Sequence, residues 1–196
     1  MKTRPLIQAA FGPIISCADD SSAVTPMAAD TLYEEDFMLW AERQGDELRR
    51  AAREGSNLPI DWENIAEEIE TLGRSQRSEV KNLVRNIITH LVKLAYSPAQ
   101  PSWFGWEGEV RLYRGQLEGV LENSPSLRPS LPEVVSRETP RAVRIAVSEL
   151  RKFNEMEAAA AVERAAFSFT PDQVLDEEWF LPGTYERIRT ELKPRP

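Results

Sequence analysis

The amino-acid sequence predicts an all-α protein: a single bundle of about five main helices with a short C-terminal helix docked on it. Apolar residues recur at steps of three and four along most of the chain, the spacing that lines one face of an α-helix. Strict alternation of apolar and polar residues, the strand signature, is nearly absent, and the β-branched residues fall on helical stripes instead. With 196 residues, 41% of them hydrophobic, the chain is large enough to bury a core of its own.

The first helix is expected from Asp30 to about Glu54, where Tyr33, Phe37, Trp40, Gln44, Leu48 and Ala51 form one stripe; Asp30 or Thr31 would cap it and Gly55 would end it. Asp61 is placed to cap a short second helix carrying Trp62, Ile65, Ile69 and Leu72, and Gly73 is read as its end. The third, from about Ser75 to Tyr96, has the widest apolar face, with Val80, Leu83, Val84, Ile87, Ile88, Leu91 and Leu94, and so takes the centre of the bundle. A fourth runs from about Ser102 to Glu122 and stops at Asn123-Ser124-Pro125. The fifth begins near Pro132, bends at Pro140, where a backbone hydrogen bond is lost, and continues through Ala158 to Ala161. A short helix, Asp172 to Asp176, precedes Trp179-Phe180-Leu181-Pro182-Gly183, which is apolar enough to dock.

Composition excludes several classes. A formal charge of -8 and a pI near 4.9 set the chain as a whole against polyanions and anionic membranes. One cysteine, Cys17, permits no intrachain disulfide and no cysteine-built zinc site; with His90 the only histidine, a metal site would be mostly carboxylate. Charges recur too often after Asp30 for the roughly 18 to 20 apolar residues of a membrane span. Ile14-Ile15-Ser16-Cys17 resembles a lipoprotein cleavage site, but Gln8 and Pro13 interrupt the apolar run before it, and Met27 offers a natural start. Residues 1–26 are therefore read as a disordered tail or mis-assigned start, 27–183 as the helical domain and 184–196 as an extension.

Three polar or aromatic constellations stand out. Glu63, Glu67 and Glu70 share a helix face, and Arg74, Arg77, Lys81 and Arg85 form a basic row just after Gly73. If the two segments fold back across Gly73, the rows face each other as surface ion pairs; the alternative is that the basic row reads phosphates, which the net charge disfavours. His90, with Lys93 beside it, is the natural acid or base, and Asp36 or Glu67 would orient its imidazole. Its place at the border of an apolar stripe equally fits a packing residue. The di-iron signature is missing, because Ile87 stands three residues before His90. Trp103 and Trp106, bracketing Phe104-Gly105, would form a partner-binding patch wherever they are exposed.

Several blocks of sequence carry a resemblance: Leu32-Tyr33-Glu34-Glu35-Asp36-Phe37 with Trp40, and Glu67-Glu68-Ile69-Glu70 followed by Leu72-Gly73-Arg74-Ser75. His90-Leu91-Val92-Lys93, Ser124-Pro125-Ser126-Leu127-Arg128-Pro129 and Phe169-Thr170-Pro171-Asp172-Gln173-Val174-Leu175-Asp176-Glu177 add to it. Over about residues 31–182 the chain resembles the bacterial family known as domain of unknown function 29. That resemblance implies a helical bacterial protein and no particular activity, cofactor or partner.

The polar groups read as surface rows more than as a convergent cluster. The sequence thus points to a cytoplasmic, non-catalytic interaction or regulatory module that binds a protein partner or itself, without a cofactor or metal. An enzyme, a hydrolase or metal-dependent catalyst using Glu67, Glu70 and His90 with Asp36 and Lys93, is the first alternative. A nucleic-acid binder using Arg74, Arg77, Lys81 and Arg85 is the second. Convergence of Asp36, Glu67, Glu70 and His90 on one point would decide for the enzyme.

Overall fold

The computed structural model describes residues 27–55, 58–181 and 184, and all regular structure among them is helical. The elements are α1 (Met27–Glu35), α2 (Phe37–Arg53), α3 (Trp62–Tyr96), α4 (Gln100–Asn123), a 3-10 turn (Pro125–Ser130), α5 (Leu131–Lys152), α6 (Met156–Arg164) and α7 (Pro171–Leu175). The expected tail 1–26 lies outside the described residues, as does the extension after Thr184. None of the described helices is long and apolar enough to cross a membrane.

The organising element is α3, whose 35 residues extend for about 50 Å. Asp61 caps it as expected, accepting from the Asn64 amide. Gly73 does not end it. The second and third helices read from the sequence are one, because Gly73 lies where α2 crosses: a Cβ there would stand 3.1 Å from Met38 Sδ. Gly45 on α2 is tighter still, since a Cβ at that position would stand only 2.8 Å from Glu70 Cγ. Both glycines trade helix propensity for close approach of the two helices.

Side-chain bonds fix the register around α3. Arg49 reaches both Glu63 and Glu70, and Arg77 pairs with Glu42, so α2 runs antiparallel along the first half of α3. Past that half, α4 returns antiparallel, with His90 beside Glu109 and Lys93 over Trp106. By contrast α5 is parallel to α3: Arg85 meets Glu138, Thr89 donates to the Ala142 carbonyl, and Lys93 meets Glu149. The core accordingly surrounds the second half of α3, where Val84, Ile87, Ile88 and Leu91 contact no solvent and pack with Val110, Leu117, Leu121, Ala146 and Leu150. Phe169, Val174 and Phe180 close it from the C-terminal segment.

Three boundaries differ from expectation. The first helix breaks at Asp36, which adopts an extended backbone and caps α2 through Leu39 N at 2.9 Å. The same carboxylate accepts from Ser126 N at 2.6 Å and Ser126 Oγ at 2.9 Å, while Ser124 Oγ accepts from Met38 N and donates to Gln76 Oε1. Those bonds tie the α1–α2 corner to the 3-10 turn, an element that helical periodicity does not announce. Pro140 sits inside a continuous α5, and the helix ends earlier than expected, at Lys152, short of Ala158–Ala161. There Asn154 takes φ 63, and Glu155 N donates to Leu150 O, a left-handed cap that separates α6 from α5. Finally, α7 begins at Pro171, one residue earlier than expected, under a capping box of Thr170 and Gln173.

Candidate functional site

The structure separates the residues of the enzyme reading. Glu67, Glu70 and His90 lie on one unbroken helix, which puts Glu70 about 30 Å and Glu67 about 34 Å from His90 along the axis. Asp36 spends its oxygens on Leu39 and Ser126 at the helix corner. Glu67 is exposed, and Glu70 is gripped by Arg49 at 2.8 and 3.1 Å. That hydrogen bond holds the Glu70 carboxyl below its ordinary pKa, with the charge of Arg49 adding to it and desolvation opposing it. The four groups proposed to converge therefore do not, and among the described residues no three His, Cys, Asp or Glu side chains are arranged to hold a metal ion.

His90 keeps only Lys93 of the candidate set as a neighbour. His90 Nδ1 is 3.1 Å from Glu109 Oε2, but the approach is out of line and Nδ1 makes no hydrogen bond. Tyr113 lies beside the imidazole, with ring centroids 5.8 Å apart. Burial, reinforced by Lys93, lowers the His90 pKa, while Glu109 and Glu149 oppose the shift. Lys93 buries its stem and places Nζ 2.6 Å from Glu149 and 4.3 Å from the Trp106 ring centroid. The cluster joins α3 to α4 and α5; it is a fastening of the bundle.

The charged rows are also fastenings. They follow one another on α3 and so do not face each other as two helices; Arg74 pairs along α3 with Glu70, and the partners of Arg77 and Arg85 come from other helices. Arg74 lies 3.6 Å from Glu70, Arg77 pairs with Glu42, and Arg85 donates to Glu138 at 2.8 Å. Glu138 is 1% exposed and also receives Arg141, so it is a buried carboxylate held between two guanidiniums. Lys81 is half-buried. Three of the four bases proposed for phosphates are thus already on carboxylates. The aromatic patch fares similarly: Trp103 is buried, its indole N–H donating to Ser97 O at 3.2 Å, and Trp106 is half-buried beneath Lys93. Phe104, at 60%, is the member left in solvent.

Sequence reasoning passed over Arg114, which is 1% exposed on α4. Its guanidinium donates to the carbonyls of Gln173, Val174, Glu177 and Trp179 at 2.7–3.2 Å, so it holds the end of α7 and the segment after it. The signal was present: Arg114 interrupts the stripe Val110, Leu117, Leu121, four residues after the first and three before the second.

Among the described residues, the hairpin of α2 and α3 leaves large apolar side chains in solvent. On α2 the buried stripe is Met38, Ala41 and Gly45, so the larger stripe predicted as core turns partly outward. Tyr33 packs edge-on against Phe37 and Trp40 and is 48% exposed. On α3, Ile65 and Leu72 are 40% and 51% exposed, with half-buried Ile69 between them. Tyr33, Phe37 and Gln76 line one shallow depression, so the two stripes share one side of the α2–α3 hairpin. Its other side is polar, lined by Glu42, Asp46, Glu70, Arg74 and Arg77. The hairpin therefore presents a two-helix apolar surface beyond the main core.

Comparison with known proteins agrees with this fold. A solved structure described as an alpha-helical protein of unknown function, from Rhodospirillum rubrum, is similar at 28% identity and a TM-score of 0.61, covering 83% of this chain and 98% of that one. No curated protein matches the sequence. The family model described as domain of unknown function DUF29 matches residues 32–180, from within α1 to past α7. The chain belongs to the DUF29 family.

Proposed function

We propose that the protein is a non-catalytic interaction module whose docking surface is the apolar side of the α2–α3 hairpin. One observation carries this reading. Tyr33, Ile65 and Leu72, each at least 40% exposed, lie on one side of two packed helices, and no described element covers them. A contiguous apolar patch rimmed by polar residues marks a place where another surface docks. The titratable groups support the same reading, because Asp36, Glu70, Arg85 and Lys93, all nominated from the sequence for chemistry or phosphate binding, are engaged in holding helices together.

The test is the double substitution I65K/L72K in the full chain. Both side chains are largely in water, so stability should change by no more than about 0.5 kcal/mol. A tagged wild-type chain recovered from its native cells should carry a stoichiometric partner, itself or another protein, that the variant loses. Unfolding of the variant would show these residues to be core, and identical recovery with both chains would remove the face from the docking role.

A further inference from the structure

A second place for a partner is built from other elements than the α2–α3 hairpin and stands whether or not the hairpin docks anything. Between α5 and the segment that joins α6 to α7 runs a groove of about 550 Å³, a volume typical of ligand-holding sites. Pro140 and Val143 of α5 form one wall, and Phe167 and Phe169 the other. We propose that this groove takes an extended peptide segment with apolar side chains at alternate positions and one carboxylate, the carboxylate seated on Arg144.

Unpaired backbone along both walls is the first support. After α6 the chain is extended at Ala165, with ψ 146, and it is extended again at Thr170, with φ -98 and ψ 159. Between them the Phe167 and Phe169 rings lie 6.3 Å apart at 2° to each other, the two-residue step of a strand with both rings on one face. Among the described residues no strand lies beside this segment, and none bonds to the backbone of Ala166, Phe167, Ser168 or Phe169. On the facing wall α5 runs unbroken through Pro140, which has no N–H to give the Ser136 carbonyl four residues before it, and Ser136 borders the groove too. An occupant suited to both walls brings backbone donors and acceptors of its own. An extended peptide does so, adding itself to the free edge with alternate side chains against the apolar walls. A helix does not, because its amides and carbonyls are bonded internally.

Charge is the second support, and it gives the partner its carboxylate. Arg144 is the charged residue among those lining the groove; it is exposed and holds no ion pair among the described residues. It also borders a cleft on the other flank of α5, where Arg85 and Arg141 share the carboxylate of Glu138. The surface around Arg144 therefore stays positive in a chain whose formal charge is -8. A guanidinium receives a carboxylate through two parallel hydrogen bonds, and Arg144 has its fork unspent. A simple fatty acid would meet Arg144 and the apolar walls but would leave the backbone of both walls unserved.

The experiment selects binders to the purified full chain from two random heptapeptide libraries, one joined to its carrier at both ends and one ending in a free carboxylate. Enriched sequences should place apolar residues two apart, with Asp or Glu among them in the first library; enrichment in the second library alone assigns the carboxylate to a chain end. A synthetic peptide of the enriched sequence should bind R144E about 10-fold more weakly and recover when its carboxylate is exchanged for an amine. The fold should not register R144E, because Arg144 is exposed. N-methylation at every second amide of the peptide should cost about 10-fold in one register and little in the other, since a paired strand turns alternate amides to its neighbour. No enrichment in either library overturns the proposal, as does binding that R144E leaves unchanged. Apolar residues three and four apart would make the occupant a helix, and loss of binding in I65K/L72K but not in R144E would put the peptide on the hairpin; either result overturns it. Octanoate binding as tightly as the peptide would make the groove a site for small carboxylates and overturns it as well.

Discussion

Replacing Arg114 by methionine keeps the length of the side chain and removes the charged fork that joins α4 to the C-terminal segment. In the folded chain that fork reaches Trp179 O at 2.7 Å, Gln173 O and Val174 O at 2.9 Å, and Glu177 O at 3.2 Å. Glu177 is exposed and Trp179 half-buried, so their carbonyls can turn to water once released. Val174 is 1% exposed and its carbonyl cannot, while Gln173 lies in the same tight turn. Counting two bonds lost without replacement, at about 1.5 kcal/mol each for a charged donor, gives a cost of about 3 kcal/mol. For a domain of this size that is a fall in Tm of about 6–12 °C. Thermal unfolding measures it, and hydrogen exchange should show residues 171–180 opening before the core. R114K keeps the charge but not the fork and should recover no more than about half. A Tm within about 2 °C of wild type for R114M, with Phe180 still protected, would refute the assignment of Arg114 as the fastening of this segment.

Three other outcomes follow from the same contacts. Burial lowers the folded-state pKa of His90 below its ordinary value near 6.5; the unfolded chain therefore takes up the proton first, and stability is lost as pH falls from about 6.5 toward the folded value. Denaturant unfolding of H90Q should be flatter over that interval, and an unchanged slope would contradict the shift. Glu138 sits between Arg85 and Arg141, so E138Q should cost about 2 kcal/mol, toward the low end for a buried ionic group because both arginines retain access to water; in a double-mutant cycle R85L/E138L should lose less than the two single changes added. Gly45→Val puts a branched side chain where even a Cβ lies 2.8 Å from Glu70 Cγ, and should cost about 1–3 kcal/mol by chemical unfolding while releasing Arg49 from Glu70.

The helical class, the central place of Ser75–Tyr96 and the docking of Phe180 were legible because each rests on a long apolar stripe or a bulky buried ring. Gly73 misled for a physical reason: glycine commonly follows a helix end, and only the presence of α2 at van der Waals distance shows that here it serves a crossing. The same crossing hid which stripe of α2 is core. Ala41 and Gly45 carry almost no apolar surface, yet their smallness lets α2 approach, and this turns Phe37, Trp40 and Leu48 partly outward. The candidate catalytic set failed with Gly73, since convergence of Glu67, Glu70 and His90 required a fold-back there. Asp36 was read as a support for His90, whereas its partner is Ser126, which is 90 positions away and belongs to a turn that sequence periodicity does not reveal. Arg114 and Glu138 show the converse: a charge inside a buried stripe was readable at each position and identifies a fastening between helices.

The docking role of the hairpin is tested most directly by hydroxyl-radical footprinting of the full chain at high and low concentration. Tyr33 and Leu72 are 48% and 51% exposed, and Phe104 and Phe153, away from the hairpin, are 60% and 62% exposed. On exposure within one chain alone, all four should oxidise at comparable rates relative to their intrinsic reactivity. Docking on the hairpin predicts that Tyr33 and Leu72 become several-fold protected as the concentration rises or in extracts of the native cells, while Phe104 and Phe153 do not change. Oxidation of Tyr33 and Leu72 in step with the two phenylalanines at every concentration, and equally in extracts of the native cells, would contradict it.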